Sequence, residues 1–174
     1  LTPLAMGLGW LTNIDVFADL RFSESALAHA LFATLPLMLL FFAMQQATYA
    51  PLVRIRLLLL ETLGARLYQH SWSDLLLLAG LAGFSEEVLF RGALQPWLEQ
   101  LTDLNTGLLL SNVIFALLHA VTPMYAVLAM LMGVYLGLSL DYGGERNLLI
   151  PITIHTLYDF VAFWVIVRRY RSQF

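Results

Sequence analysis

The chain has 174 residues, 60% of them hydrophobic and 12% charged, with a mean hydropathy of +0.77. That balance excludes an ordinary soluble core inside a polar shell and reads as an integral membrane protein. The net charge of -3 says little about partners, no nucleic-acid partner is expected, and the lack of cysteine removes disulfides, thiolate metal ligands and a cysteine nucleophile.

Residues 1–22 lack the basic start and cleavage site of a signal peptide, and the chain begins at Leu1, so upstream sequence is expected and the helix count is a minimum. About twenty apolar residues cross a bilayer, and residues 26–47 supply the first such span, behind a plausible N-cap at Ser23-Glu24-Ser25. Residues 51–69 place Arg54, Glu61, Thr62, Arg66 and Gln69 on about a third of a helical wheel, with most leucines opposite and Arg56 off the pattern. This predicts a helix lying at the interface. Further spans are predicted over 72–98, 104–120, 123–140 and 148–167, joined by short connections with Pro, Gly, Asn and Asp. No sustained alternation suggests strands. The expected fold is therefore all-α: a polytopic membrane helix bundle of at least five spans plus an interfacial amphipathic helix. A single transmembrane domain over residues 1–174 is expected, with its motif-bearing core at about 72–168.

Lysine is absent, and most of the nine arginines fall in short segments between or after the spans. Arg54, Arg56 and Arg66 are separated from Arg168, Arg169 and Arg171 by four spans, so both clusters share one face. The positive-inside rule makes that face, with the C-terminus, cytoplasmic and leaves Arg146 alone on the far side.

The 72–98 span also carries Glu86, Glu87 and Arg91. Each charge costs roughly 2.5–3.5 kcal/mol at a helix centre, whereas a Leu, Val or Phe returns about 0.3–0.6 kcal/mol. These side chains must therefore face protein or a wet cavity, and buried ionisable groups in a membrane are functional candidates. Glu87 and Arg91 share a helix face and can pair, while Glu86 points about 100° away. The third span offers Ser111, Asn112, Phe115 and His119 on one face, and the fifth offers His155 and Asp159 one turn apart. In the fourth, Ala126, Ala129, Gly133 and Gly137 form a small-residue ridge suited to close packing. His29 and His70 lie outside these patterns and read as bystanders. A purely structural ion-pair network competes with the functional reading, but two acids for one arginine leave a charge that stability alone would not select.

Glu86-Glu87-x-x-x-Arg91, Phe115-x-x-x-His119 and His155-x-x-x-Asp159, in that order and with Phe90-Arg91-Gly92 around the arginine, resemble the CAAX prenyl protease and bacteriocin-processing (Abi) family over about residues 72–165. The resemblance implies a membrane-embedded endopeptidase acting on a membrane-associated protein or peptide, either prenylated or of the bacteriocin-leader type, without a cofactor. It implies that Glu86 is the general base and His119 its partner on the water, that His155 and Asp159 hold the scissile carbonyl, and that Glu87 with Arg91 is the supporting ion pair. Asp159 departs from the asparagine of some members, and a carboxylate donates a hydrogen bond only when protonated. Asp159 is alternatively a residue that orients His155. The short chain and minimal loops lean toward a bacterial cytoplasmic membrane.

No serine sits beside a histidine in a nucleophile motif, which disfavours covalent catalysis. A zinc-dependent protease using the same residues is the alternative mechanism, although no His-Glu-x-x-His motif is present. A non-catalytic immunity or adaptor protein and an ion-coupled carrier are the alternatives of other classes. Counting about 1.5 Å per residue puts Glu86 and His155 at similar depths nearer the outer face, and His119 roughly 10 Å deeper toward the cytoplasm.

Overall fold

The helix starts follow local capping chemistry. In the computed structural model, which describes residues 1–142 and 144–173, α1 (Thr2–Thr12) begins with Pro3 in its first turn and ends on Asn13 in the left-handed conformation, φ 56°. α2 (Glu24–Gln46) starts where the Ser23 hydroxyl accepts the Ala26 amide at 3.3 Å. α3 covers residues 50–67 and passes through a π-helical turn, Leu60–Gly64. α4 covers residues 72–101, starts from a reciprocal Ser71–Asp74 capping box and contains a second π-helical turn, Phe90–Leu94. Asp103 caps α5 (Leu104–Leu118), and Thr122 caps α6 (Pro123–Ser139). α7 (Leu149–Arg171) closes the bundle.

The fold is all-α, and no strand occurs among the described residues. α2 and α7 are long and apolar enough to cross a membrane, whereas α5 and α6 are shorter apolar helices. The segments predicted as spans recur as helices with ends moved by a few residues, mainly because α4 continues to Leu101 and α7 to Arg171. α1 was not expected. It is too short to register as a span, although Pro3 and Asn13 mark its ends.

The distribution of polarity is inverted relative to a soluble protein. Phe32, Leu39, Leu77, Leu117 and Leu118 are each at least 64% exposed, while Glu87, Arg91, Gln95 and Asn112 are at most 2% exposed. Only an apolar solvent favours that arrangement. α7 packs along α4 and α2, α4 and α6 flank α5, and α1 lies against α4 around its second π turn. Backbones meet closely at Gly83, where an added Cβ would sit 2.7 Å from Thr156 Oγ1.

The misfit of Arg56 in the helical wheel has a structural cause. Its Nη1 donates to the carbonyls of Met44, Gln45 and Ala47 at 2.7–2.9 Å, closing the C-terminus of α2. The predicted polar face of α3, from Arg54 through Glu61, Thr62 and Arg66, is exposed. Arg171 donates to the carbonyls of Tyr68 and His70, bringing the two arginine clusters to one end. At the other end Arg146 pairs with Glu99 at 2.8 Å and Asp141 at 3.0 Å. Its hydrogen bond to Glu99 raises the guanidinium's proton affinity above the usual value. Arg146 does not stand alone there: Arg21, which precedes α2, reaches within 3.8 Å of Glu145.

Candidate active site

Adjacent positions on a helix diverge by about 100°, and the consecutive acids of α4 enter different surroundings. Glu87 points inward and is fully buried. Its Oε1 accepts from Arg91 Nη1 at 3.0 Å and from His155 Nδ1 at 2.7 Å. Arg91 Nη2 donates to Asn112 Oδ1 at 3.0 Å and to the Gly133 carbonyl at 2.6 Å. Its guanidinium carbon also lies 5.1 Å from the centre of the Phe115 ring. One arginine thus ties α4 to α5 and α6, and through Glu87 to α7. The second π turn begins one residue before Arg91, at a place where such bulges often accompany function.

Gly133 contributes both its backbone and its missing side chain. An added Cβ would run into Asn112, the side chain that receives Arg91. Gly137 approaches Leu108 and Gln95 in the same way, so the small-residue ridge of α6 is a packing surface.

Glu86 turns toward a cavity of about 590 Å³. Its Oε2 lies 3.7 Å from His119 Nε2 and 4.0 Å from His155 Nε2, and His155 Nε2 lies 3.6 Å from Asp159 Oδ2. These separations exceed direct hydrogen bonds and match groups that meet through a shared water. His119 ends α5, where its Nδ1 donates to the Phe115 carbonyl at 2.8 Å and its ring stacks on Phe115 at 4.3 Å. In both histidines Nδ1 is committed and Nε2 is the ring nitrogen nearer the cavity carboxylates. The six residues singled out in the sequence, Glu86, Glu87, Arg91, His119, His155 and Asp159, therefore form one cluster in two parts.

The expected depth offset of His119 is absent. Glu86 and His119 stand equally far along the chain from the turn at residues 102–103, so an α4–α5 hairpin sets them level. His155 stands beside Glu86, as the count along its span expected, with Nε2 4.0 Å from Glu86 Oε2. Counting each span from a common face missed this symmetry of the α4–α5 hairpin.

Beyond the acid–imidazole end, the cavity walls are largely apolar side chains of α2, α3, α6 and α7, including Leu37, Phe41, Leu60, Met132 and Phe163. Gln95, Tyr125 and Tyr158 escaped the sequence reading. Gln95 was visible in principle, two turns after Glu87 on the same face, and its Nε2 donates to Glu99 at 2.9 Å. Tyr125 and Tyr158 line the same cavity as Glu86 and Asp159, and no local motif marks either one. His29 packs against Tyr142, and the His70 carbonyl receives Arg171, so neither joins the site. Among the described residues, no three His, Asp or Glu side chains are grouped in an arrangement that could hold a metal ion.

The family described as Type II CAAX prenyl endopeptidase Rce1-like matches residues 68–161, just over half of the chain and every cluster residue. No curated protein and no solved structure matches the chain.

Proposed function

The chain belongs to the Type II CAAX prenyl endopeptidase Rce1-like family, and from that premise we propose that it is an intramembrane endopeptidase in which Glu86 activates the attacking water. One observation carries this reading. A partly exposed carboxylate faces two imidazole Nε2 atoms at 3.7 and 4.0 Å, at the end of an apolar cavity.

Peptide hydrolysis needs a base for water, a polarised carbonyl and a proton for the leaving amine. Glu86 takes one proton from a water placed between it and His119. The hydroxide adds to the scissile carbonyl carbon, and the C=O electron pair moves onto oxygen. Collapse of the tetrahedral intermediate restores the C=O and breaks the C–N bond, and the proton held by Glu86 passes to the departing nitrogen. His155 and Asp159 hold the carbonyl side, and Glu87 with Arg91 fixes His155. The substrate is a membrane-associated protein or peptide, prenylated or of the leader type, that enters the apolar cavity from the bilayer. We place the enzyme in a bacterial cytoplasmic membrane with its C-terminus cytoplasmic, on the arginine distribution and short loops.

The test uses purified protein in detergent and a quenched fluorescent peptide with a farnesylated cysteine near its C-terminus. Wild type cleaves it, and Glu86→Gln and His119→Ala each lose about 10²–10⁴-fold in turnover, the span attributed to positioned acid–base groups. Undiminished cleavage by Glu86→Gln would remove the mechanism. Chelator-sensitive cleavage restored by zinc would reassign the same side chains to a metal.

A further inference from the structure

The cavity extends well beyond the acid–imidazole cluster. One stripe of α7 lines it at helical spacing, through His155, Asp159, Ala162, Ile166, Arg169 and Gln173. Arg169 follows His155 by fourteen residues, so the cavity runs about 21 Å along α7. Phe41 and Met44 of α2 and Leu63 of α3 form other walls of this arm, Leu63 packing with Phe163 and Val167. Polar side chains return at its far end, with Gln45, Arg56, Arg169 and Gln173. Arg56 Nη1 is spent on the end of α2. Among the described residues the Arg169 side chain has no hydrogen bond or ion pair, and the cavity's two carboxylates, Glu86 and Asp159, belong to the opposite end.

An apolar arm that ends on an unpaired guanidinium fits an amphiphile. Between Asp159 and Arg169 the walls are side chains of helices whose own backbone groups are already paired. An extended peptide lying there would leave its N–H and C=O groups without partners, whereas a hydrocarbon chain has none to lose. Arginine in turn matches the oxygens of a phosphate with two parallel donors. The length agrees as well. Arg168 lies over the exposed Trp164 ring at 5.4 Å, the basic and aromatic pairing of a membrane boundary. Asp159 stands ten residues before Arg169, or about 15 Å, which is the depth of one leaflet in a hydrocarbon core of about 30 Å. Arg54, Arg66 and Arg168 are exposed at the same end and draw anionic lipid toward it.

We propose that this arm of the cavity binds one acyl chain of an anionic phospholipid, with the phosphate on Arg169 and the chain end against Asp159. Such a lipid fills space that a substrate needs and inhibits competitively. That consequence rests on the hydrolytic reading above, whereas the lipid site does not.

The experiment gives the purified full chain, in detergent, phosphatidylglycerol whose acyl chain ends in a photoactivatable diazirine, and maps the labelled residues after illumination. Label is expected on Ala162, Phe163 and the surroundings of Asp159. Label confined to outward-facing side chains such as Phe32 and Leu39 overturns the site. Native mass spectrometry then compares phosphatidylglycerol with phosphatidylcholine carrying the same chains. Arg169→Gln is expected to weaken phosphatidylglycerol binding about fivefold, the effect of one basic side chain at an anionic headgroup, with phosphatidylcholine little changed. Arg54, on a separate surface groove, is the control, and Arg54→Gln is expected to have a smaller effect. Equal losses in the two variants would reduce the effect to general surface attraction and overturn the assignment of Arg169. In the cleavage assay phosphatidylglycerol is expected to raise KM for the farnesylated peptide at unchanged kcat, and a KM that does not move overturns the competition. If wild type leaves the peptide uncut, the hydrolytic reading fails on this substrate, while the labelling pattern still decides the lipid site.

Discussion

Glu86 and Glu87 are neighbours in sequence with opposite environments. Around Glu87 the contacts are short and mutual: 3.0 Å to Arg91, 2.7 Å to His155, and from Arg91 onward 2.6 Å to Gly133. Around Glu86 the two imidazoles stand 3.7 and 4.0 Å away, beside open volume. The first arrangement leaves little room for exchange and braces four helices. The second leaves space for a small reactant between groups that accept protons. A single helical step thus separates a structural knot from a reactive face, and His155 belongs to both through its two ring nitrogens.

Substitution at each acid by glutamine tests that division most severely. Glu86→Gln is expected to lose about 10²–10⁴-fold in turnover with an unfolding temperature in detergent matching wild type. Glu87→Gln is expected to destabilise the fold by about 3–5 kcal/mol, because it leaves the Arg91 charge buried without its counter-ion. The reverse pattern, a stable Glu87 variant beside an unfolding Glu86 variant, would break the comparison. Arg91→Leu falls in the same range for the same reason. Combined with Glu87→Leu, it is expected to cost less than the two single changes together, by a coupling of about 0.5–3 kcal/mol. Additive losses would mean that the two charges do not act as a pair.

Most of the fold and half of the site were legible because they rest on short-range rules. Helix positions followed from apolar length and from caps such as Ser23, and the pairing of Glu87 with Arg91 followed from their spacing. The level of His119 was not legible, because it depends on where the α4–α5 turn falls. Arg56 looked anomalous since its partners lie on the preceding helix. Tyr125 carries no motif, and only the packing of α6 beside α7 brings it to the cavity that Asp159 also lines.

A smaller effect is expected at the wall that receives Arg91. Gly133→Ala adds a methyl against Asn112, and overpacking of this kind costs about 1–3 kcal/mol. Because Asn112 would move before Glu86 does, unfolding temperature should fall with KM and kcat changing less than in either acid variant. Loss of turnover at unchanged stability would show that the knot and the reactive face are not separable at this point.

The smallest expected effect lies at the turn that sets Glu86 and His119 level. Asp103 accepts the amides of Asn105 and Thr106 at 3.0 and 3.1 Å, and the Thr106 hydroxyl at 2.6 Å. The bonds from Thr106 hold this exposed carboxyl below its ordinary 3.8. A carboxyl depressed in the folded state contributes stability above its unfolded value, and that contribution fades as pH falls through the folded value. Asp103→Asn retains a capping acceptor and loses the charge. Wild type should therefore unfold at a slightly higher temperature than Asp103→Asn near pH 6, and the two curves should converge as the solution is acidified below the folded value. Added salt should narrow the gap at pH 6, since the site is open to solvent. A gap that persists unchanged in acid would assign the turn's stability to its shape instead of its charge, and the levelling of Glu86 with His119 would then be independent of pH.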